Sequence, residues 1–242
     1  MVLDARNQLL RLISAADRDA LAPHLQTVTL ESGDILYEPD YPVEWVYFPA
    51  TAVLSVVTVM ADGRTVESDT VGFESVVGVL AALGGTPTVG RTFTQIAGDA
   101  IRVSAARLRR QADLSPALRQ LLIRHAYANL AQAHQSAACN ALHDLEQRLC
   151  RWLMMSQDRT DSRMVRLTQQ YLATMLGVQR TTVTHALRDL VEKGLVRQRR
   201  GCIEILDRLR IEALSCECYD AVQDNLRRLV GHAPLTQEVE TT

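Results

Sequence analysis

The sequence predicts an α+β protein in which antiparallel strands come first, one very long helix follows, and a helix pair with a hairpin comes last. Three observations lead to this prediction. Short runs rich in β-branched and aromatic residues, separated by turn signals, occur between residues 28 and 103. After Pro116, almost no helix-breaking residue occurs up to Asp158. The segment that follows is strongly basic.

The first predicted region contains two short helices, at residues 5–13 and 16–21, and then short strands with turns such as Ser32-Gly-Asp34 and Ala97-Gly-Asp99. This spacing is typical of an antiparallel β-roll, cupin- or jelly-roll-like, and we assign it residues 1–113 as a sensor domain. The predicted strands are Val28–Leu30, Ile35–Tyr37, Trp45–Phe48, Val53–Val59, Thr65–Ser68, Arg91–Ile96 and Ala100–Val103.

The second predicted region, residues 114–158, is one very long helix or two nearly continuous ones, opened by the N-cap and N1 pair Ser115-Pro116. It carries two apolar stripes and therefore needs two partners. We expect one face to pack on the strands and the other on the same helix of a second subunit; a helix buried within a monomer is the alternative. The stripes are Ile123, Tyr127, Leu130, His134, Ala137 and Ala141, and Leu118, Leu122, Ala126 and Ala133.

Length, composition and charge indicate how many domains the protein has and which kinds of partner it can bind. A chain of 242 residues suits two domains. It has no apolar run long enough to cross a bilayer and no cationic-then-apolar leader, so we expect a cytoplasmic protein without a membrane partner. The net charge of −2 is unevenly distributed along the chain. Residues 159–210 contain eleven basic and five acidic side chains, so this segment is positively charged. This basic end is the candidate nucleic-acid face.

Residues 167–190 have the pattern of a helix-turn-helix. Thr168 can cap a short helix, Gly177 permits a tight turn at positive φ, and a second helix begins near Gln179. Residues 194–207 then alternate like a hairpin, so residues 159–230 are predicted to be a winged helix-turn-helix. The residues predicted to face inward are Leu172, Ala173, Leu176, Val183, Ala186, Leu187 and Leu190.

The outward side of the second helix carries hydrogen-bonding side chains and no acidic one, which favours contact with duplex DNA over a plainly solvated face. The predicted base contacts are Arg180, Thr181, Thr184, His185 and Arg188. The predicted backbone contacts are Thr168, Gln170, Gln179, Thr182, Arg199 and Arg200.

The order of β-roll, long helix and winged helix-turn-helix, together with the motif at residues 167–207, resembles the Crp/Fnr family of transcription regulators. Ser32-Gly-Asp34 and the segment from Gly72 to Gly78 are similar to landmarks of that family. The resemblance implies a homodimer on an inverted-repeat operator with half-sites about one helical turn (~34 Å) apart. It also implies an effector in the β-roll, and RNA polymerase as a candidate partner.

The chain departs from the family pattern both in the DNA-contacting helix and in the effector pocket of the β-roll. Members with an Arg-Glu pair and a later Arg carry them where this chain has Arg180, Thr181 and His185, so we expect a different half-site. In the roll, Val79 stands where cyclic-nucleotide-binding members have the ribose-binding Glu, if Gly78 is the cassette glycine. This argues against cyclic AMP, and the cofactor stays unassigned. The candidate effector residues are Glu74, Arg91, Thr92 and His134.

The cysteines and the histidines of the long helix are candidate sensor residues. No cysteine precedes Cys139, which argues against an iron–sulfur cluster, and the odd, sparse set argues against a disulfide framework. Successive steps of nine residues place neighbouring histidines of the long helix on opposite faces, so we predict no metal site there. The histidines are His125, His134 and His143. Redox or metal sensing and plain apolar burial both remain open for Cys139, Cys150, Cys216 and Cys218.

The leading hypothesis is therefore a DNA-binding regulator, and the alternative is a redox or small-molecule sensor that acts mainly through protein partners. No Ser/His/Asp spacing, metal-ligand cluster or phosphate-cradling glycine loop stands out, so we predict no catalytic residues and no enzymatic activity. The polar, acidic segment 231–242 is predicted to be a disordered tail.

Overall fold

A computed structural model describes residues 6–160 and 162–231. The described N-terminal part contains the seven strands that the sequence predicts, each within a few residues of its expected bounds. Two short helices precede them, α1 (Gln8–Leu12) and α2 (Ala15–Leu21). The strands are β1 (Gln26–Leu30), β2 (Ile35–Tyr37), β3 (Trp45–Pro49), β4 (Val53–Val59), β5 (Thr65–Val71), β6 (Arg91–Ile96) and β7 (Gly98–Ser104), with helix α3 (Val79–Gly84) between β5 and β6.

The strands form two antiparallel sheets with the orders β1-β7-β3 and β2-β6-β4-β5. In the second sheet the register places Val56 opposite both Asp69 and Thr92. Apolar side chains that alternate along the strands, such as Phe48 and Leu54, are fully buried in the roll. The predicted β-roll is confirmed.

Helices α4 (Ala105–Leu114), α5 (Pro116–Leu142) and α6 (Leu145–Thr160) follow the roll. The Ser115 hydroxyl accepts a 3.2 Å hydrogen bond from the Leu118 amide, which is the N-cap that the sequence predicts for α5. Of the two predicted forms of the long helix, the structure has the two nearly continuous helices, because α5 ends before His143 and α6 begins at Leu145.

The two apolar stripes of α5 have opposite environments. Leu118 and Leu122 are buried against the β-roll core. Ile123, Tyr127 and Leu130 are 51, 60 and 48% exposed. The stripe that contains Ile123, Tyr127 and Leu130 therefore has no partner that would cover it among the described residues of the chain.

The C-terminal part contains the predicted helix pair and hairpin, and two further helices that the sequence analysis did not predict. The bounds are β8 (Met164–Val165), α7 (Gln169–Leu176), α8 (Arg180–Glu192), β9 (Val196–Arg199), β10 (Cys202–Ile205), α9 (Arg208–Leu214) and α10 (Cys218–Val230). The strands form a sheet of order β8-β10-β9. Helix α10 packs on α5, and its Val230 joins the core of the β-roll.

Gly231, the first residue of the predicted tail, ends α10, and residues 232–242 lie outside the described part of the chain. Within the described residues, none of the helices combines the length and the apolar character that crossing a bilayer requires. The domain limits 1–113, 114–158, 159–230 and 231–242 stay predictions.

Candidate nucleic-acid interface

The turn between α7 and α8 is built by local hydrogen bonds. The Thr168 hydroxyl accepts a 3.2 Å bond from the Tyr171 amide and caps α7. Gly177 has φ +65°, a left-handed conformation that a side chain disfavours, and its amide donates back to the last turn of α7. The chain then re-enters a helix at Arg180, so α8 starts directly after the turn.

Apolar side chains hold the two helices together. Leu172 on α7 and Val183, Leu187 and Leu190 on α8 are fully buried in one cluster. The predicted inward face of the helix pair is confirmed, and it positions the opposite side of α8 toward solvent.

All the residues predicted to contact bases are exposed on that outer side: Arg180, Thr181, Thr184, His185 and Arg188. The Thr184 hydroxyl donates to Gln169, at 2.9 Å, and Arg188 forms a loose 3.7 Å ion pair with Glu192. Among the described residues, the Arg180 guanidinium has no hydrogen-bond or ion-pair partner. Its donors are therefore available for an acceptor outside the chain.

The wing is the β9–β10 hairpin, which turns at Arg200 and Gly201, where Gly201 has φ +73°. Glu204 on β10 accepts from Arg197 and from Arg199, both at 3.2 Å. Contact of Arg199 with a phosphate would thus require it to share or leave Glu204. The Arg200 guanidinium is exposed at the tip without such a partner in the described chain.

A groove runs between the start of α7, the start of α8 and the wing, lined in part by Thr168, Gln169, Arg180, Gln198 and Arg199. Gln169 donates to Gln198 across it, at 3.2 Å. The free amides at the N-terminus of α7 and two guanidinium groups at its edges make the groove suited to an anion such as a backbone phosphate.

Helix α7 packs on the β-roll, a contact that the sequence pattern does not predict. Met175 on α7 is buried, and its sulfur accepts from the Gln95 amide at 3.3 Å and lies 3.7 Å from the Ser55 hydroxyl. The rings of Tyr171 and Phe93 stack with their centroids 6.0 Å apart. This docking leaves the outer side of α8 exposed.

Helix α6 is anchored to strand β5 and the loop after it. The Arg159 guanidinium donates to Glu74 at 2.7 Å and to the Thr70 carbonyl at 2.9 Å. Nearby, burial raises the pKa of Asp69 to about 8, against the opposing effect of Arg159. Glu74, a predicted effector residue, is thus occupied by an ion pair within the chain.

The other predicted effector residues lie apart from Glu74. Arg91 pairs with Glu38 at 2.9 Å, Thr92 is buried within the sheet, and His134 is exposed on the uncovered stripe of α5. No hydrogen bond or ion pair in the described chain joins any of the four to another. Effector binding by these residues stays a prediction.

The helix pair and the overall fold both have counterparts among known proteins. Residues 147–214 match the Crp-like helix-turn-helix domain family. No curated protein sequence matches the chain. Many solved structures share the fold.

A putative Crp/Fnr family regulator from Eubacterium rectale is 17% identical, with a TM-score of 0.68 over 85% of this chain and 96% of that one. FixK2 from Bradyrhizobium japonicum is 19% identical, with a TM-score of 0.69 over 79% and 98%. The c-di-GMP-responsive regulator CLP from Xanthomonas campestris is 18% identical, with a TM-score of 0.64 over 80% and 100%. Residues 147–214 are therefore a Crp-like helix-turn-helix domain, carried by a chain with the fold of the Crp/Fnr family transcriptional regulators.

Proposed function

We propose that this protein is a sequence-specific DNA-binding transcription regulator that acts as a homodimer on an inverted-repeat operator. The observation that carries the proposal is the unpaired Arg180 at the start of α8, on an exposed helix face without acidic residues in its first two turns, beside a basic wing. A guanidinium at the start of a recognition helix can donate two hydrogen bonds to O6 and N7 of guanine.

The uncovered stripe of α5 supports the dimer. Three large side chains that are about half exposed, Ile123, Tyr127 and Leu130, follow one another at helical spacing along a helix of 27 residues. Two such helices side by side would each cover the exposed stripe of the other. The recognition helices of the two subunits would then be related by a two-fold axis. An inverted repeat has the same symmetry, so each α8 would enter one half-site.

The packing of α7 and α6 on the β-roll supports gating by an effector that is not yet identified. Met175 and Trp152 connect the helix-turn-helix to the strands through buried contacts. A ligand that changes the strands would therefore change the position of α7. CLP, which has a similar fold, is described as c-di-GMP-responsive, and this chain is proposed to respond to an effector of its own.

The test is selection of bound sequences by the full-length protein from a random duplex pool at low salt, repeated under oxidising and reducing conditions. We expect enrichment of a palindrome with half-site centres about 10 base pairs apart. Failure to retain any duplex at low salt in both conditions would contradict the proposal. It would favour a sensor that acts through protein partners.

A further inference from the structure

Four side chains that no part of the proposed function uses converge where α5 ends. Cys139 and His143 come from the last turn and the C-cap of α5, and Cys216 and Cys218 flank the start of α10. One ligand atom from each of the four lies within 4.8 Å of all the others. The three cysteines are at most 4% exposed, so this is a buried cluster and not a surface patch.

The distances within the cluster fit a tetrahedral metal site. The sulfurs of Cys139 and Cys216 are 3.6 Å apart, and the Cys218 sulfur is 3.6 Å from Nδ1 of His143. A zinc ion with Zn–S of about 2.3 Å and Zn–N of about 2.0 Å has S···S and S···N edges of about 3.8 and 3.5 Å. A disulfide would need about 2.05 Å between the sulfurs.

The groups around the cluster orient two of the four ligands. Nε2 of His143 lies 3.2 Å from a carboxylate oxygen of Glu217, which leaves Nδ1 directed at the Cys218 sulfur. A carboxylate on the far nitrogen is the usual outer contact of a metal-bound histidine. The Gln135 amide donates a 3.0 Å hydrogen bond to the Cys218 sulfur, as it would to a thiolate.

The local charges suit a thiolate site. Three thiolates and one Zn²⁺ carry a net charge of −1, which needs compensation when buried. Arg148 and Arg151, in the first turns of α6, are close enough for their charges to interact with the thiols, and Nε of each is a buried donor without a partner in the described chain. Cys218 is also the first residue of α10, where the helix dipole stabilises a negative charge.

We propose that Cys139, His143, Cys216 and Cys218 bind one Zn²⁺ ion per chain in a tetrahedral Cys3His site. The ion joins the end of α5, immediately before the break that leads into α6, to the start of α10. The site thereby fixes the C-terminal helix against α5 beside the break between α5 and α6. This proposal replaces the sequence-based expectation of no metal site, and it does not depend on DNA binding.

The first test uses the unmodified full-length protein, purified with a thiol reductant from cells grown with added zinc and dialysed against a weak chelator. We expect about one zinc per chain by elemental analysis, and an X-ray absorption spectrum with three sulfur ligands at about 2.3 Å and one nitrogen at about 2.0 Å. Replacement by Co²⁺ should give the intense visible bands of a tetrahedral thiolate complex. Protein without bound metal after growth in zinc, or with a Cys139–Cys216 disulfide, would overturn the proposal.

The second test compares single variants of four of the five cysteines and of His143. Cys139→Ser and Cys216→Ser should each lose most of the bound zinc, whereas Cys150→Ser and Cys202→Ser should keep one equivalent because both lie outside the cluster. His143→Gln, at a partly exposed position, should weaken zinc retention against a competing chelator at least about tenfold. Equal zinc content in all the variants would identify the metal as adventitious and would also overturn the proposal.

Discussion

The indole Nε1 of Trp152 on α6 donates a 3.0 Å hydrogen bond to a carboxylate oxygen of Glu67 on β5. The Ser55 hydroxyl donates to the other oxygen at 2.8 Å. Burial raises the pKa of Glu67, and these two donors counteract the rise. The pair therefore connects the helix that leads into the helix-turn-helix with a strand of the β-roll.

Replacing Trp152 tests this connection. Trp152→Phe keeps an aromatic ring but leaves the Glu67 carboxylate buried with one donor fewer, so we expect the free energy of unfolding to fall by about 1–3 kcal/mol. Urea unfolding measures the change, and a double-mutant cycle with Glu67→Met, which removes the acceptor, separates the hydrogen bond from packing. Trp45→Phe is the matched control, because its indole nitrogen has no hydrogen bond in the described chain. Zero coupling between Trp152 and Glu67 would contradict the prediction.

Shortening Met175 tests the docking of α7 on the β-roll. The side chain is buried between the two domains, so Met175→Ala should lower the free energy of unfolding by about 2–5 kcal/mol. It should also increase proteolysis between the domains under native conditions. Gln170→Ala, exposed on the same helix, is the control and should change stability by less than about 0.5 kcal/mol. A Met175 variant as stable as this control would show that the contact contributes nothing.

Arg180 and Arg199 should affect DNA binding in different ways. Arg180→Ala should remove about 1–3 kcal/mol of discrimination at one base pair of each half-site, because a base contact carries sequence information. Arg199→Ala should weaken binding to all duplexes by a similar factor and reduce the salt dependence. Competition binding with single-base variants of the selected palindrome distinguishes the two effects. If Arg180→Ala left the sequence preference unchanged, its assignment as a base contact would be wrong.

A charge placed on the uncovered stripe of α5 should prevent dimerisation. Burying an unpaired carboxylate costs several kcal/mol, so Tyr127→Glu should weaken self-association about a hundredfold or more. Sedimentation velocity over a range of protein concentrations measures the strength of self-association. Arg124→Glu, exposed on the same helix but displaced from the stripe, is the control and should remain dimeric. A monomeric wild-type protein at micromolar concentration would contradict the proposed dimer.

Acid should destabilise the fold through His125. Burial lowers the pKa of this imidazole to about 4, from the usual 6.5. Between these pH values the unfolded chain binds a proton that the folded chain does not, so the free energy of unfolding rises with pH across that window. The stabilisation that comes from keeping His125 neutral is fully present above about pH 6.5. It is lost as the pH falls toward 4, which lowers the free energy of unfolding by up to about 3 kcal/mol.

Urea unfolding at a series of pH values compares wild type with His125→Gln. The difference in stability between them should shift in favour of the variant as the pH falls from 6.5 to 4. Ser75→Ala removes the group that lies 2.7 Å from the imidazole but keeps the imidazole, and so should retain the wild-type slope. Parallel curves for wild type and His125→Gln would rule out this origin of acid sensitivity.

Local sequence patterns were sufficient for the strands of the β-roll, for the long helix and the helix pair, and for the faces of those helices. Alternating β-branched residues predict the strands, because side chains on a strand alternate between its two sides. The spacing of Val183, Leu187 and Leu190 predicts the buried side of α8 in the same way, and therefore also its exposed side. The N-cap at Ser115 and the turn at Gly177 were predicted because each depends on one residue and its neighbours along the chain.

Contacts between distant residues could be found only in the tertiary structure. Met175 has the same apolar character whether it packs inside the helix pair or on the β-roll, and periodicity does not distinguish these partners. Glu74 has the character of a ligand-binding carboxylate in the sequence, but in the structure it is paired with Arg159, 85 residues away. The helix α10 that covers α5 was missed because its polar composition matched that of a surface segment.

The cysteine cluster shows this division most clearly. From the sequence, Cys216-Glu-Cys218 is a weak signal, and Cys139 with His143 is an ordinary helical pair. The packing of α10 on α5 brings the two pairs together across 77 residues of chain. The sequence by itself thus determined the strands of the β-roll, the long helix, the helix pair with its turn and the basic recognition face, which depend on near neighbours. Only the tertiary structure decided which long-range partners meet, because that depends on how whole elements pack.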